Sequence, residues 1–218
     1  MGTAAVPGSR AELRCWRHDR DFSFRLGGVE LMSSRAHGSE EQLAELACER
    51  LGERAAAAAV LVGGLGMGFT LARALALLGP AARVVVAELV PAVVQWNREL
   101  LGHLAGHPLR DPRVEVVIDD VGAVLRGGQA RFDAVLLDVD NGPAGLVRAA
   151  NDGLYGERGL AAAAAALRPG GVLAVWSAGR DPAFALRLRR AGLRADEVRT
   201  RARRTRGAVR TIWLGVRP

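Results

Sequence analysis

The chain has 218 residues, half of them hydrophobic and 24% charged, a balance that suits one soluble globular domain with a sizeable core and excludes a disordered or fibrous polymer. Its net charge of +7 would invite a nucleic-acid partner, but every basic residue is arginine and none is lysine amid abundant alanine and glycine, so a GC-rich coding bias accounts for part of it. Two cysteines, Cys15 and Cys48, exclude a disulfide framework and a repeated metal-ligand spacing.

The first ten residues read as loose and contain no apolar stretch of signal-peptide length, which makes the cytoplasm the default location. In "RCWRHDRDFSFRLGGVELMSS" a strand-like alternation is interrupted by Gly27-Gly28, predicting an antiparallel hairpin. "SEEQLAELACERL" has helical apolar spacing, with Ser39 as its capping residue. Residues 1–54 are therefore expected to form a hairpin-and-helix cap on a main domain over 55–218. His37, just ahead of that helix, would either reach a pocket mouth as a base or make a surface hydrogen bond.

Between Arg54 and Arg73 lie 18 consecutive uncharged residues, long enough for a membrane span. Gly63, Gly64, Gly66 and Gly68 fall within six positions of it and oppose a continuous helix while permitting a sharp turn. The stretch is read instead as a strand over Val60–Gly63, a glycine turn and a helix over Phe69–Leu78, and no membrane partner is expected. Arg83–Leu89 is the second strand. A covering helix follows from Pro91, then "RVEVVID" as the third strand and a short helix over Val121–Leu125. "FDAVLLDVD" is the fourth strand, and the long connection after it is expected to be functional. "LAAAAAALRPGG" reads as a helix closed by Pro and Gly, "VLAVWSA" as the fifth strand, and "EVRTRARRTRGAVRTIWLGV" as a terminal antiparallel hairpin around Arg206-Gly207. Short apolar strands alternating with helices indicate an α/β protein with a mainly parallel sheet.

In such a sheet ligands bind beyond the carboxyl ends of the strands, and here those ends carry the chemistry. Strand one ends in the glycine cluster, which allows close backbone approach to a ligand. Glu88, 24 residues after Gly64, can accept hydrogen bonds from ribose hydroxyls, or be a solvated strand-end acid. Asp119 and Asp120 can accept from an adenine amino group, or one can cap the next helix. Asp138, beside Asp140 and Asn141, would bind or deprotonate an amine, the alternative being a capping or loop acid. Trp176 ends strand five and would flank the substrate or pack in the core. His103 and His107 have no acidic or cysteine partners nearby, so no metal is expected. The arginines from Arg199 to Arg210 suit an exposed hairpin face better than an RNA site, since base-stacking aromatics are absent.

The segments "VLVGGLGMGFTLARAL", "VVVAELVPAVVQWNREL", "VEVVIDDV", "FDAVLLDVDNGP" and "LYGERGLAAAAAALRPGGVLAVWS" together resemble the spermidine synthase family and, more broadly, the class I S-adenosylmethionine-dependent methyltransferases. The resemblance runs from about Leu31 to the C-terminus. It implies a Rossmann-like, mainly parallel seven-stranded sheet with a C-terminal antiparallel hairpin. By it, Gly63 to Gly68 would wrap the methionine-derived part of S-adenosylmethionine or its decarboxylated form. Glu88 and Leu89 would hold the ribose, Asp119, Asp120 and Val121 the adenine, and Asp138 would activate the attacking amine. Asp140, Asn141, Tyr155, Trp176 and His37 would then serve the substrate.

The chain departs from the aminopropyltransferase pattern in carrying uncharged Leu65 and Met67 where the glycine loop usually has an acid, and Glu40-Glu41 where a Tyr-His or Tyr-Gln pair is usual. The expected function is accordingly methyl transfer to a small amine-bearing molecule, with aminopropyl transfer to a polyamine as the alternative. An RNA-binding or RNA-modifying protein, a nicotinamide-dependent oxidoreductase and a non-catalytic cofactor-binding homologue are the rival classes. A homodimer is left open.

Overall fold

The computed structural model describes residues 2–8, 10–139, 153–203 and 205–218. The N-terminal segment builds a four-stranded antiparallel sheet from β1 (Gly2–Ala5), β2 (Glu12–His18), β3 (Asp21–Leu26) and β4 (Val29–Ser33), in that order. Gly27 and Gly28, both at positive φ, make the β3–β4 turn as the sequence suggests. The expected hairpin is thus half of a larger sheet, and the residues read as loose include β1, whose Gly2 pairs with Cys15. Small, short "GTAA" carries no pattern of its own; the strand exists because β2 offers an edge.

The central sheet contains β5 (Ala59–Gly63), β6 (Arg83–Glu88), β7 (Val114–Ile118), β8 (Phe132–Leu137), β9 (Leu167–Ser177), β10 (Arg194–Arg203) and β11 (Arg206–Val216). Its order is β10-β11-β9-β8-β5-β6-β7, with β5 to β9 parallel and β11 antiparallel to both β9 and β10. This is the Rossmann-like sheet with reversed final hairpin that the resemblance implies.

Both faces of the sheet are covered, which is why its central strands are apolar without alternation. Val60 and Val62 of β5 and Ala134 and Leu136 of β8 face one core, shared with α1 (Gly38–Leu51), α2 (Phe69–Leu77), α3 (Pro91–Trp96) and the inner face of the N-terminal sheet. Leu61, Val135 and Leu137 face the other, under α4 (Val121–Arg126), α5 (Glu157–Ala166) and α6 (Pro182–Arg190). Among the described residues no helix is long and apolar enough to cross a membrane. The 18 uncharged residues instead fold through the glycine turn.

Several boundaries differ from expectation. Ser39 does not cap α1; His37 occupies the N-cap position without a side-chain capping bond to the backbone, and Ser39 Oγ donates to Glu40 Oε2 at 2.6 Å. The helix after Pro91 stops being α-helical at Trp96, continuing as a π-turn over Asn97–Leu101 and a 3₁₀ turn over Gly102–Ala105. The "LRPGG" segment opens β9 rather than closing α5, because Leu167 pairs with Phe132 and the backbone of Gly170 and Gly171 pairs with Arg217. Helix α6 was not legible: its arginines hide the two apolar residues, Phe184 and Leu188, that it buries, and its start is set by Pro182 and by Asp181, which accepts from the Ala183 amide.

Candidate active site

The carboxyl ends of β5, β6, β7 and β8 converge on one cavity. At the end of β5, Gly64 (φ +85) and Gly66 (φ +51) take left-handed conformations. A Cβ on Gly64 would lie 2.5 Å from the Asp138 carbonyl oxygen, so the turn after β5 packs directly on the residue that follows β8. Gly63 and Gly68 support the turn without lining the cavity. A Cβ on Gly63 would strike Val121 Cγ2 at 2.7 Å, and Gly68 (φ +86) is the N-cap of α2.

Glu88, at the end of β6, is buried, and both its carboxylate oxygens hold backbone: Oε2 accepts from the Leu65 amide at 2.9 Å and Oε1 from the Val90 amide at 2.8 Å. Burial pushes its pKa up, against the lowering effect of those amides. The acid read as a ribose ligand therefore also fixes the glycine turn. Asp119 and Asp120 lie exposed at the rim beyond β7. Asp120 caps α4 by accepting from the Ala123 amide at 3.0 Å, and Asp119 Oδ1 accepts from the Asp120 amide at 2.7 Å. Leu89 and Val121 also line the cavity.

Asp138 is half-buried, and its Oδ2 accepts from Thr70 Oγ1 at 2.6 Å. Burial raises its pKa to about 6, with the Thr70 hydroxyl pulling the other way. Trp176 lines the same cavity, with the Arg210 guanidinium 5.5 Å from its ring centre. The opposite wall is apolar and comes from the N-terminal sheet, chiefly Leu13, Phe24, Leu26 and Met32.

Two expected substrate residues do not line this cavity. His37 stacks on Phe69 at 4.0 Å with its Nδ1 2.9 Å from Glu41 Oε1, held by α1 and α2. Tyr155 is buried against Phe184, and its hydroxyl donates to the Val139 carbonyl at 3.4 Å. Asp140 and Asn141 lie outside the described residues. Among the described residues there is no cluster of ligands that could hold a metal ion.

Glu40 is the residue that the reading of strand ends missed. It is buried, lines the cavity and faces Asp138, and burial together with the Asp138 charge raises its pKa to about 8. A signal existed: Glu40 occupies the same helical stripe as Leu43, Ala44, Ala47 and Leu51, all buried, so it is an acid on an apolar face.

A glycine turn, a buried strand-end glutamate and two rim aspartates on an open α/β sheet define a Rossmann-like protein with a candidate ligand site at the carboxyl ends of its strands. The Spermine/spermidine synthase domain profile matches residues 38–185, and the chain belongs to that family. The polyamine aminopropyltransferase of Mycobacterium tuberculosis (strain CDC 1551 / Oshkosh) is 38% identical over 96 residues, 43% of this chain and 18% of that protein. Putrescine N-methyltransferase 2 of Nicotiana tabacum is 35% identical over 115 residues, 52% of this chain and 31% of that protein. The matched segments thus span less than a third of these curated relatives. Among solved structures, spermidine synthase from Thermotoga maritima superposes with a TM-score of 0.75 at 19% identity, covering 99% of this chain and 73% of that one. A spermidine synthase in complex with the transition state analogue AdoDATO gives 0.74 at 18% identity, covering 99% and 72%. At these identities the likeness is one of fold.

Proposed function

We propose that this protein is a transferase of the spermidine synthase type, moving an aminopropyl group from decarboxylated S-adenosylmethionine to an amine nitrogen of a small polyamine. The observation that carries the reading is Asp138, a half-buried carboxylate fixed by Thr70 beside the glycine turn and inside a cavity rimmed by Glu88, Asp119 and Asp120. The site fits such a nucleoside sulfonium on its own terms. Gly64 and Gly66 leave the turn bare of side chains, and the acids around it offer acceptors for hydroxyl and amino groups and charge for a cation. When bound, the sulfonium supplies an activated carbon and a thioether leaving group.

The chain's own residues do the rest. Glu88 holds the turn and presents its free lone pairs to the ribose, while Asp119, Asp120 and Val121 bound the adenine. Asp138 orients the amine and takes its proton, which frees the nitrogen lone pair to attack in line. In this scheme residues 1–54 provide Glu40 and the apolar wall against which the acceptor lies, and residues 55–218 provide the nucleoside site.

Methyl transfer is the second reading, and two observations favour it. Leu65 and Met67, where an acid would meet the aminopropyl amine, are 4% and 0% exposed and belong to the core. The Nicotiana relatives are putrescine N-methyltransferases. The family profile and the mycobacterial relative weigh toward aminopropyl transfer. Mass spectrometry of products from putrescine, incubated separately with S-adenosylmethionine and with its decarboxylated form, separates the two. Spermidine supports the first and N-methylputrescine the second; failure to form either with any amine offered removes the transferase reading.

A further inference from the structure

The scheme above places Glu40 beside the acceptor but gives it no chemical step, although it is 6% exposed and shares the cavity with Asp138. Thr70 ties the two together, its hydroxyl lying 2.6 Å from Asp138 Oδ2 and 3.3 Å from the Glu40 carbonyl oxygen. Glu40 Oε2 accepts from Ser39 Oγ on the same helix turn. Among the described residues, the charged groups acting on Glu40 are Asp138 at the end of β8 and Arg210 on β11. Nearby charges on α1 and α2 are engaged elsewhere: Glu41 with His37, and Glu45 with Arg73 at 2.8 Å.

Two carboxyls that share a cavity, one of them buried, resist ionising together. Burial and then the Asp138 charge push Glu40 up to about 8, while burial pushes Asp138 up to about 6. Near neutral pH the pair therefore holds one proton, which belongs to the pair rather than to either residue alone.

We infer that a cationic amine docking between Glu40 and Asp138 expels that proton to solvent, so that Glu40 is a positioning residue that makes acceptor capture proton-linked. This rests on the amine-acceptor reading above. The amine arrives as an ammonium ion, one carboxyl O–H of the pair breaks, and the proton leaves to buffer. The site passes from one negative charge to two, opposite the incoming positive charge, and no bond to carbon changes.

Isothermal titration calorimetry of the full chain with putrescine, run near pH 7 in phosphate and in Tris, reads the protons exchanged because the two buffers differ in ionisation heat. The expected result is release of roughly one half to one proton per putrescine bound, falling below about 0.2 in E40Q, which still binds. Putrescine heat that does not depend on buffer overturns this inference alone. Absence of any putrescine heat overturns the amine-acceptor reading and this inference with it.

NMR of protein carrying ¹³C-labelled glutamate supplies a second readout in the wild-type fold. The carboxyl resonance missing from E40Q should titrate above the ordinary glutamate range and move down by about one unit or more with saturating putrescine. A Glu40 resonance that titrates in the ordinary range, or that putrescine leaves unmoved, refutes the inference.

Discussion

At the scale of single residues, Asp138 and Glu40 are chemically alike and placed to do different work. To act as the proposed base Asp138 must be ionised, and burial raises its pKa to about 6, so on that reading transfer activity should rise as pH increases through about 6 and fall away below it. D138N should lower kcat/KM by roughly 10²-fold or more, the range for loss of a positioned base, while nucleoside affinity measured by calorimetry stays nearly unchanged. Retained activity in D138N would dismiss the base role. Asp138 stood out in the sequence because it follows the apolar run Ala134–Leu137 at the carboxyl end of a strand, where ligands bind in such sheets. Glu40 was harder to read: its place on the apolar stripe of α1 is a signal, but "SEEQ" at a helix start reads first as solvated charge. Its burial is decided by α1 packing on α2, β8 and β9, contacts far away in the chain.

At the scale of elements, the site depends on how closely two strand ends approach. G64A would place a Cβ 2.5 Å from the Asp138 carbonyl oxygen and force alanine to φ +85. It should destabilise the fold by about 1–3 kcal/mol in denaturant titration and depress activity further than that loss explains, because Asp138 is displaced. The opposite end of β8 gives the contrasting case. Asp133 accepts from the Ala59 amide at 2.8 Å and from Arg168 Nη1 at 2.6 Å. D133N should cost about 1–3 kcal/mol of stability and leave nucleoside affinity alone, since this anchor is a strand length from the cavity.

Elements with an intrinsic pattern were readable: the five parallel strands, the glycine turn and the final hairpin. Those defined by a neighbour were not. Strand β1 depends on the edge of β2, and the π-turn at Asn97–Leu101 begins at Asn97, whose side-chain Nδ2 donates to the carbonyls of Gly66 and Val93 at 2.8 and 2.9 Å.

At the scale of the whole molecule, the buried acids link the site to global stability. Glu40 holds its proton more tightly in the folded chain, where its pKa is about 8, than in the unfolded chain, where it is near the ordinary value of 4.5. The native state therefore binds more protons across that window, and stability falls as pH rises through it, with the loss complete above about 8. Asp138 adds to the same slope over its lower range. E40Q has no such proton to lose. Its Tm should exceed the wild-type value by at least about 3 °C near pH 9, with the gap closing below about pH 4.5, as scanning calorimetry would report. A gap that did not change with pH would mean that Glu40 is not held protonated by the fold.

The cavity wall draws on Val6 near one end of the chain and Trp176 near the other, 170 positions apart. A ribosome adds about 5–20 residues each second, so the first strands wait many seconds for the element that completes the pocket opposite them. During that interval Leu13, Phe24 and Met32 have no partner sheet to cover them. The apolar wall of the cavity is thus made well before the strand that closes it, and any ligand capture waits for β9.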